Sequence, residues 1–384
     1  MMIRQVSQLF KAWLPRAAIA AVILTCASIA GAQTPAPSQL SPGRAAALDQ
    51  VNRIGRELLA SPGRRENAVA ELKGLLAADP TLAEAHLWLG VAYRLEGTPE
   101  MAAEAVSELR QAIDLDPALL PARVYLAQAY ADLGRPERAR EELNAALEKA
   151  PGNPTLLAML GDVERRLKHP DRAMELIEQS LKAQPDFAQA RYYRALTLLD
   201  LRRRDEATRD LEWVIQSGAK VADVYVTLGD TYIEARRYPD AVEILSQGTH
   251  VDPVRPDLRI QLARALRLSG ALDKADAPLK VVDPARAPNA VAAQQVQQDL
   301  LAEQGALRLR QRRLPEAAAA LEKALATDPE SGPVTRDLAE VYLLQGRYKQ
   351  SQALAVKAQA LGSPLSETRR KQLEAGLQGS GGKH

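Results

Sequence analysis

The side chains with the means to do chemistry are few: four histidines, one cysteine and scattered acidic pairs. His86, His169, His250 and His384 stand at unrelated spacings. No His-Glu-x-x-His places two imidazoles on one helix face, so the zinc-hydrolase arrangement is missing. No glycine-rich loop runs into Lys-Ser or Lys-Thr to cradle a phosphate, and no Gly-x-Ser-x-Gly elbow presents a serine nucleophile. Cys26 falls in an apolar N-terminal run, which leaves the remaining chain without a thiol for a disulfide, a zinc site or an iron–sulfur cluster. Acidic pairs such as Glu141-Glu142 read as solvated surface. "RRR" at 202–204 and "RQRR" at 310–313 read as charges at helix ends, where a cation complements the dipole. The expectation is a protein with no catalytic residues, no cofactor and no metal.

Bulk composition narrows the partners. The net charge of +2 becomes −1 once Arg4, Lys11 and Arg16 of segment 1–32 are set aside. Such a balance lacks the basic footprint that nucleic acid requires, and also the polybasic run of a membrane-surface protein. Aromatic residues make up 4% of the chain, against a background of Ala, Leu, Arg and Glu, which favours helix over sheet.

Segment 1–32 has the layout of a secretory signal. Three cations and no acid come first, then the apolar run "AAIAAVILTCA" (17–27), then "AGA" (30–32) with small residues before Gln33. The apolar run is short for a bilayer-spanning helix, which takes roughly 20 residues. Cleavage predicts an exported, periplasmic mature chain with no transmembrane span. Two alternatives stay open: an uncleaved membrane anchor, and a lipid anchor on Cys26, where Thr25 departs from the small residue a lipobox places there. "TPAPSQLSPG" opens a Pro-rich linker assigned to 33–48.

Beyond that point the chain repeats itself. The helix-stopping prolines Pro117, Pro151 and Pro185 are evenly spaced, and Pro253 follows after twice the same interval. Gly218 stands where the intervening proline would be. Ala105, Ala139, Ala173, Ala207, Ala241 and Ala275 keep the same step. Within one unit, Tyr225, Leu228, Gly229 and Tyr232 fall at i, i+3, i+4 and i+7, which is one face of an α-helix. Gly134, Gly270 and Gly346 supply left-handed turns between paired helices, and each proline forbids the second helix from continuing. A single pair cannot bury its apolar face, so neighbours must stack.

These residues resemble the tetratricopeptide repeat (TPR) family. The matching motif is Leu89-Gly90, Tyr93, Ala105, Leu109, Ala112 and Pro117 in the second repeat. It is Tyr125, Leu126-Ala127, Tyr130, Ala139, Leu143, Ala146 and Pro151 in the third. The sixth has Tyr225, Leu228-Gly229, Tyr232, Ala241, Leu245 and Pro253, and the ninth has Leu338-Ala339 and Tyr342 with Ser351 in place of alanine. The resemblance implies an all-α fold, a right-handed α-solenoid of about nine TPR helix pairs with a C-terminal capping helix. The repeats occupy 49–82, 83–119, 120–153, 154–187, 188–221, 222–255, 256–287, 298–331 and 332–364 within a solenoid of 49–378. An insert (288–297), a capping helix (365–378) and a disordered tail (379–384) complete the chain. The second repeat has three extra residues around "GTPEMAA", expected to lengthen its turn, and the fourth has Glu164 in the tyrosine position. The seventh stops early at Pro284, and "ARAPNAVAAQQVQQ" follows, read as a loop plus an extended first helix for the eighth repeat, with Asn289 as an N-cap.

TPR arrays resemble a superhelix whose first helices line a concave groove. On that basis the groove positions are Leu87, Val91, Arg94, Val124, Gln128, Asp162, Arg165, Tyr192, Leu196, Val226, Asp230, Ile233, Ile260 and Arg264. Branched apolar residues among them point to a bound helix or extended peptide. Chaperone-binding members grip a C-terminal carboxylate with Lys, Asn and Arg; no groove position here is Asn. The resemblance therefore implies a non-enzymatic scaffold for a protein or peptide partner, with homo-oligomerisation open. Exported relatives of this layout serve pilus, exopolysaccharide and outer-membrane assembly, which places the partner in envelope assembly or secretion. A saccharide-binding module using the Tyr192-Tyr193 pair and a cytosolic regulator are the alternatives.

Overall fold

The computed structural model describes residues 41–60, 64–287 and 290–381. The signal-like segment 1–32, Asn289 and the tail beyond 381 lie outside the described residues. Among the described residues every regular element is helical. The chain divides into two compact units, one ending at Val224 and one beginning at Tyr225.

The first unit holds α1 (Pro42–Ala60), α2 (Arg65–Ala78), α3 (Ala83–Glu96), α4 (Pro99–Leu115), α5 (Leu120–Asp132) and α6 (Pro136–Lys149). It continues with α7 (Pro154–Arg166), α8 (Pro170–Ala183), α9 (Ala188–Asp200) and α10 (Arg204–Gln216). Each odd-numbered helix packs on the next to form a pair, each pair packs on the one after it, and α3 meets α5 as α7 meets α9. An apolar core from Val51 to Leu176 runs continuously from α1 to α8.

Helix α11 (Ala222–Glu234) begins at the junction. The second unit continues with α12 (Tyr238–Val251), α13 (Pro256–Leu268), α14 (Asp276–Lys280), α15 (Ala290–Arg310), α16 (Leu314–Thr327), α17 (Gly332–Leu344), α18 (Tyr348–Ala360) and α19 (Glu367–Gly381). Here the first helices α13, α15 and α17 pack on one another in turn. The last helix closes the apolar end: Leu365 and Leu373 join Ala339 and Leu343 in one cluster, and Gly376 lies flat against the Tyr348 ring.

Close approach within a pair depends on a small residue. A Cβ added at Gly90, Gly161, Gly229 or Gly305 would come within 2.5–2.7 Å of Leu109, Ile177, Leu245 or Leu321 on the second helix. Left-handed backbone at the turn between paired helices is likewise periodic. It is taken by Gly97, Gly134, Gly270 and Gly346, and at the equivalent turns by Lys168, Arg202, Arg236 and Arg312, with φ of 59–68°.

Several boundaries differ from the sequence reading. Helix α1 starts inside the stretch assigned to the linker, because Ser41 Oγ accepts from Arg44 N and Pro42 stands in the first turn. The three extra residues of the second repeat do not lengthen its turn. Thr98 caps Met101 N and Pro99 opens the helix at once, so α4 grows to 17 residues against 14 in α6. In the seventh repeat the second helix shrinks to five residues. Pro278 cannot donate to Lys274, and Val281, Val282 and Pro284 end the helix. Helix α15 takes up residues 290–297 of the insert and runs for 21 residues, the extended first helix that the sequence reading expects. Helix α19 extends to Gly381, past the expected end at 378.

Gly161 gives a direct test of the pair contact. Gly161→Ala should cost under about 2 kcal/mol, since about 1 kcal/mol of helix propensity offsets part of the overpacking. Gly161→Leu should cost several times more and lower the midpoint of chemical unfolding steeply. Equal midpoints for the two variants would refute the close-approach account.

Candidate interaction face

The sequence reading puts the groove on the first helices, and each expected groove residue can be placed in turn. In the first unit Leu87, Val91, Arg94, Val124, Asp162 and Tyr192 are buried, while Gln128, Arg165 and Leu196 keep part of their surface. In the second, Val226 and Ile260 are buried and Asp230, Ile233 and Arg264 are half-buried. Most of the apolar residues assigned to a groove are therefore core. The reason is physical: the first helix of a repeat packs on that of the next, and one helix read alone does not show which of its faces a neighbour covers. Leu196 and Ile233 are the expected apolar positions that solvent reaches.

Charge on these helices is largely spent within the chain. In the first unit Arg94 Nε donates to Asp132 Oδ2 at 2.8 Å, joining α3 to α5. Arg165 bridges Asp162 on its own helix at 2.7 Å and Asp200 on α9 at 3.1 Å, and Arg166 adds a second contact to Asp162. Burial opposes the charge on Asp162, but Arg166 and Arg165 overcome it and hold its carboxyl at about 2. Asp132 has a single guanidinium in direct contact, and there burial prevails and pushes the carboxyl up. Burial, with the Asp162 charge adding to it, pushes the Tyr193 phenol up to about 12, and Gln189 Nε2 donates to its oxygen at 2.8 Å.

The second unit also pairs its first-helix acids with arginines. Glu303 on α15 is buried and receives a two-pronged contact from Arg267 of α13, at 2.5 and 3.0 Å; Arg264 approaches at 3.5 Å. Arg336 pairs with its neighbour Asp337, and Arg369 of the last helix pairs with Glu340. Asp230 has neither a hydrogen bond nor an ion pair among the described residues. Solvent reaches part of it, yet the surrounding protein pushes its carboxyl up to about 7, with Asp257 and Glu234 adding to the burial and Arg264 opposing it. Burial pushes Asp299 up to about 6 in the same way, against Arg264 and Gln295. Burial also raises Asp337, against Arg336. Asp257, Asp299, Glu303, Asp337 and Asp132 were not among the sequence candidates. A signal existed: Asp257 and Asp299 stand at the same offset before the small contact residue of their helix, Ala263 and Gly305.

The three described histidines have partners within the chain. His86 Nδ1 lies 2.6 Å from Glu108 and its Nε2 3.1 Å from the Pro80 carbonyl; His169 meets Glu164, and His250 the Ser246 carbonyl. Glu164, in the motif's tyrosine position, is thus buried against an imidazole. Among the described residues no group of three or more His, Cys, Asp or Glu could hold a metal ion. Among them, too, no helix is long and apolar enough to cross a membrane.

Family models decide the larger question. Two models, each described as tetratricopeptide repeat, match residues 54–117, 158–214 and 226–290, and residues 99–161 and 308–361. The chain is a tetratricopeptide repeat protein. Its repeats make it a scaffold of the protein-interaction class. No curated protein matches the chain. Among solved structures it is similar to a chain of the APC/C hetero-tetramer Cut9-Hcn1, with a TM-score of 0.60 at 14% identity, over 81% of this chain and 59% of that one. It thus spans little more than half of that relative. The human IFIT1 dimer with m7Gppp-AAAA is similar at TM-score 0.50 and 17% identity, covering 80% and 69% of the two chains. A tetratricopeptide repeat protein from Parabacteroides merdae gives 0.47 and 17%, covering 67% and 98%. At such identities the likeness concerns the fold alone.

Two measurements follow from the charges. Asp132→Ala should destabilise the first unit by about 3 kcal/mol, because it leaves Arg94 buried without a counter-charge. Adding Arg94→Met should restore most of that loss, and additive losses in the double-mutant cycle would contradict a coupled pair. The pH dependence has the opposite sign from that of a salt-bridged acid. Folded Asp230 and Asp299 bind protons more tightly than unfolded ones, so stability should rise as pH falls from about 8 to about 5. Asp230→Asn should flatten that rise in thermal melts; an unchanged slope would contradict the assignment.

Proposed function

We propose that this tetratricopeptide repeat protein is an exported, non-enzymatic adaptor. It holds a peptide or helix of a protein partner on its first-helix faces during envelope assembly or secretion. The observation that carries the reading is that the first helices of each unit keep part-exposed groups. Gln128 and Leu196 in the first unit, and Asp230 and Ile233 in the second, are not used up by packing between repeats. Export rests on the sequence of segment 1–32, with its cations, short apolar run and small residues before Gln33.

The saccharide reading loses its support. Tyr192 is buried, and the two rings stand 6.1 Å apart at 35° with the Tyr193 hydroxyl held by Gln189, which leaves no open stacking platform for a sugar.

Photo-crosslinking in the native cell tests the reading, with the crosslinker at Leu196 and at Ile233 and the products assigned by mass spectrometry. One discrete envelope protein, captured by a periplasmic chain that begins at Gln33, is the expected result. Self-crosslinks alone, or an unprocessed chain in the cytosol, would overturn it.

A further inference from the structure

The second helix of the seventh repeat is held by less than its neighbours are. Helices α12 and α16 run for 14 residues each and bury core groups at i, i+4 and i+7: Ala241, Leu245 and Gly248 in one, Ala317, Leu321 and Ala324 in the other. Helix α14 has five residues. Ala275 and Leu279 fill the first two places, but Val282, in the third, lies past the helix end and is only half-buried. The backbone on either side is not a helical ladder. Leu272 N donates to Gly270 O, Lys274 N to Ala271 O and Val282 N to Leu279 O, each a short-range turn contact. Pro278, inside the helix, has no N–H to give, and Val281 just after it is 57% exposed.

The end of α15 supplies the other fastening. Arg308 Nη1 lies 2.7 Å from Asp276 Oδ1, and Gln311 Nε2, just past the helix, donates to the Leu272 carbonyl at 3.2 Å. Arg308 also donates to Gln311 Oε1 at 2.7 Å, so the two side chains form one clasp. Solvent reaches both members of the ion pair, which limits what it contributes. The first helices on either side do not depend on this segment to meet. Arg267 of α13 grips Glu303 of α15 directly, and Leu300 and Leu307 of α15 share an apolar cluster with Ile260, Ala263 and Leu266 of α13.

We infer that residues 272–282 form a strap that opens by itself while α13 and α15 stay stacked, with Arg308 and Gln311 as its clasp. The stability of a solenoid is a sum of repeat and neighbour contributions, and local opening starts where apolar contacts and helical hydrogen bonds are fewest. Opening bares the surface of α13 and α15 that Ala275 and Leu279 cover, so apolar surface inside the second unit that is buried at rest becomes accessible without loss of the stack. The opening is a property of the chain alone and needs no partner.

Amide hydrogen exchange of the full-length chain, read by mass spectrometry, tests this. Relative to their intrinsic rates, amides of 272–282 should exchange at least about tenfold faster than those of α12 and α16. Their rates should barely respond to about 1 M urea, as local opening exposes little surface, whereas those of α13 and α15 should rise with it. Arg308→Gln with Gln311→Ala should speed exchange of 272–282 a further several-fold and leave α13 unchanged, with the helical circular dichroism retained. Protection of 272–282 equal to that of α12 would overturn the inference, and so would a urea dependence equal to that of α13. A variant that leaves 272–282 unchanged, or that loosens α13 to the same degree, would overturn it too. Should the variant not fold, the unmodified chain decides by its rates and its urea dependence.

Discussion

Everything in this protein depends on how closely two helices of one repeat can approach. At Gly90, Gly161, Gly229 and Gly305 the first helix presents bare backbone to a leucine or isoleucine of the second, with no room for a methyl group at the present spacing. Ala127, Ala195, Ala263 and Ala339 occupy the same place elsewhere and are fully buried. That contact fixes which face of each helix is internal to its pair. The opposite faces are then free to meet the next repeat, and the apolar core becomes continuous from α1 to α8. The small residue thus sets both the pair and the stack.

The turns between paired helices show a second constraint met in two ways. Each needs a residue in the left-handed region, and glycine takes it without strain at Gly97, Gly134, Gly270 and Gly346. Lys168, Arg202, Arg236 and Arg312 take it elsewhere, at a cost of about 1 kcal/mol each. Their position at the C-terminal end of the first helix gives back part of that, because a cation there meets the negative end of the dipole. The residue that follows turns its charge inward along the surface: Arg203 to Glu206, Arg237 to Asp240 and Arg313 to Glu316, each at 2.6 Å. These exposed pairs contribute little to stability, so the arginine-rich turns are explained as helix ends.

On the first helices the two units use charge differently. In the first unit arginines and acids are matched across repeats, and Asp162 is held ionised by two guanidinium groups. In the second, Asp230 has no direct partner among the described residues and Asp299 only Gln295, and burial pushes both up toward neutrality. A folded chain keeps such uncompensated carboxyls at a cost in stability at neutral pH. The same asymmetry gives the two units different surfaces to offer a partner, although they are built from one repeated motif.

The sequence by itself determined the repeat. Evenly spaced prolines and alanines, and the Leu-Gly and Tyr positions between them, specify helix pairs because helix periodicity, helix stops and close-approach sites are all local properties. They also exposed the shortened seventh repeat at Pro284. Tertiary structure alone decided which first-helix residues face outward. Leu87, Val91, Val124, Tyr192, Val226 and Ile260 read as groove in isolation and are buried, since a neighbouring helix covers them. The acids that matter, Asp257, Asp299, Glu303 and Asp337, looked like ordinary solvated residues. For Glu303, only the packing of α15 on α13 brings Arg264 and Arg267 within reach, because that neighbourhood joins residues a whole repeat apart in the chain.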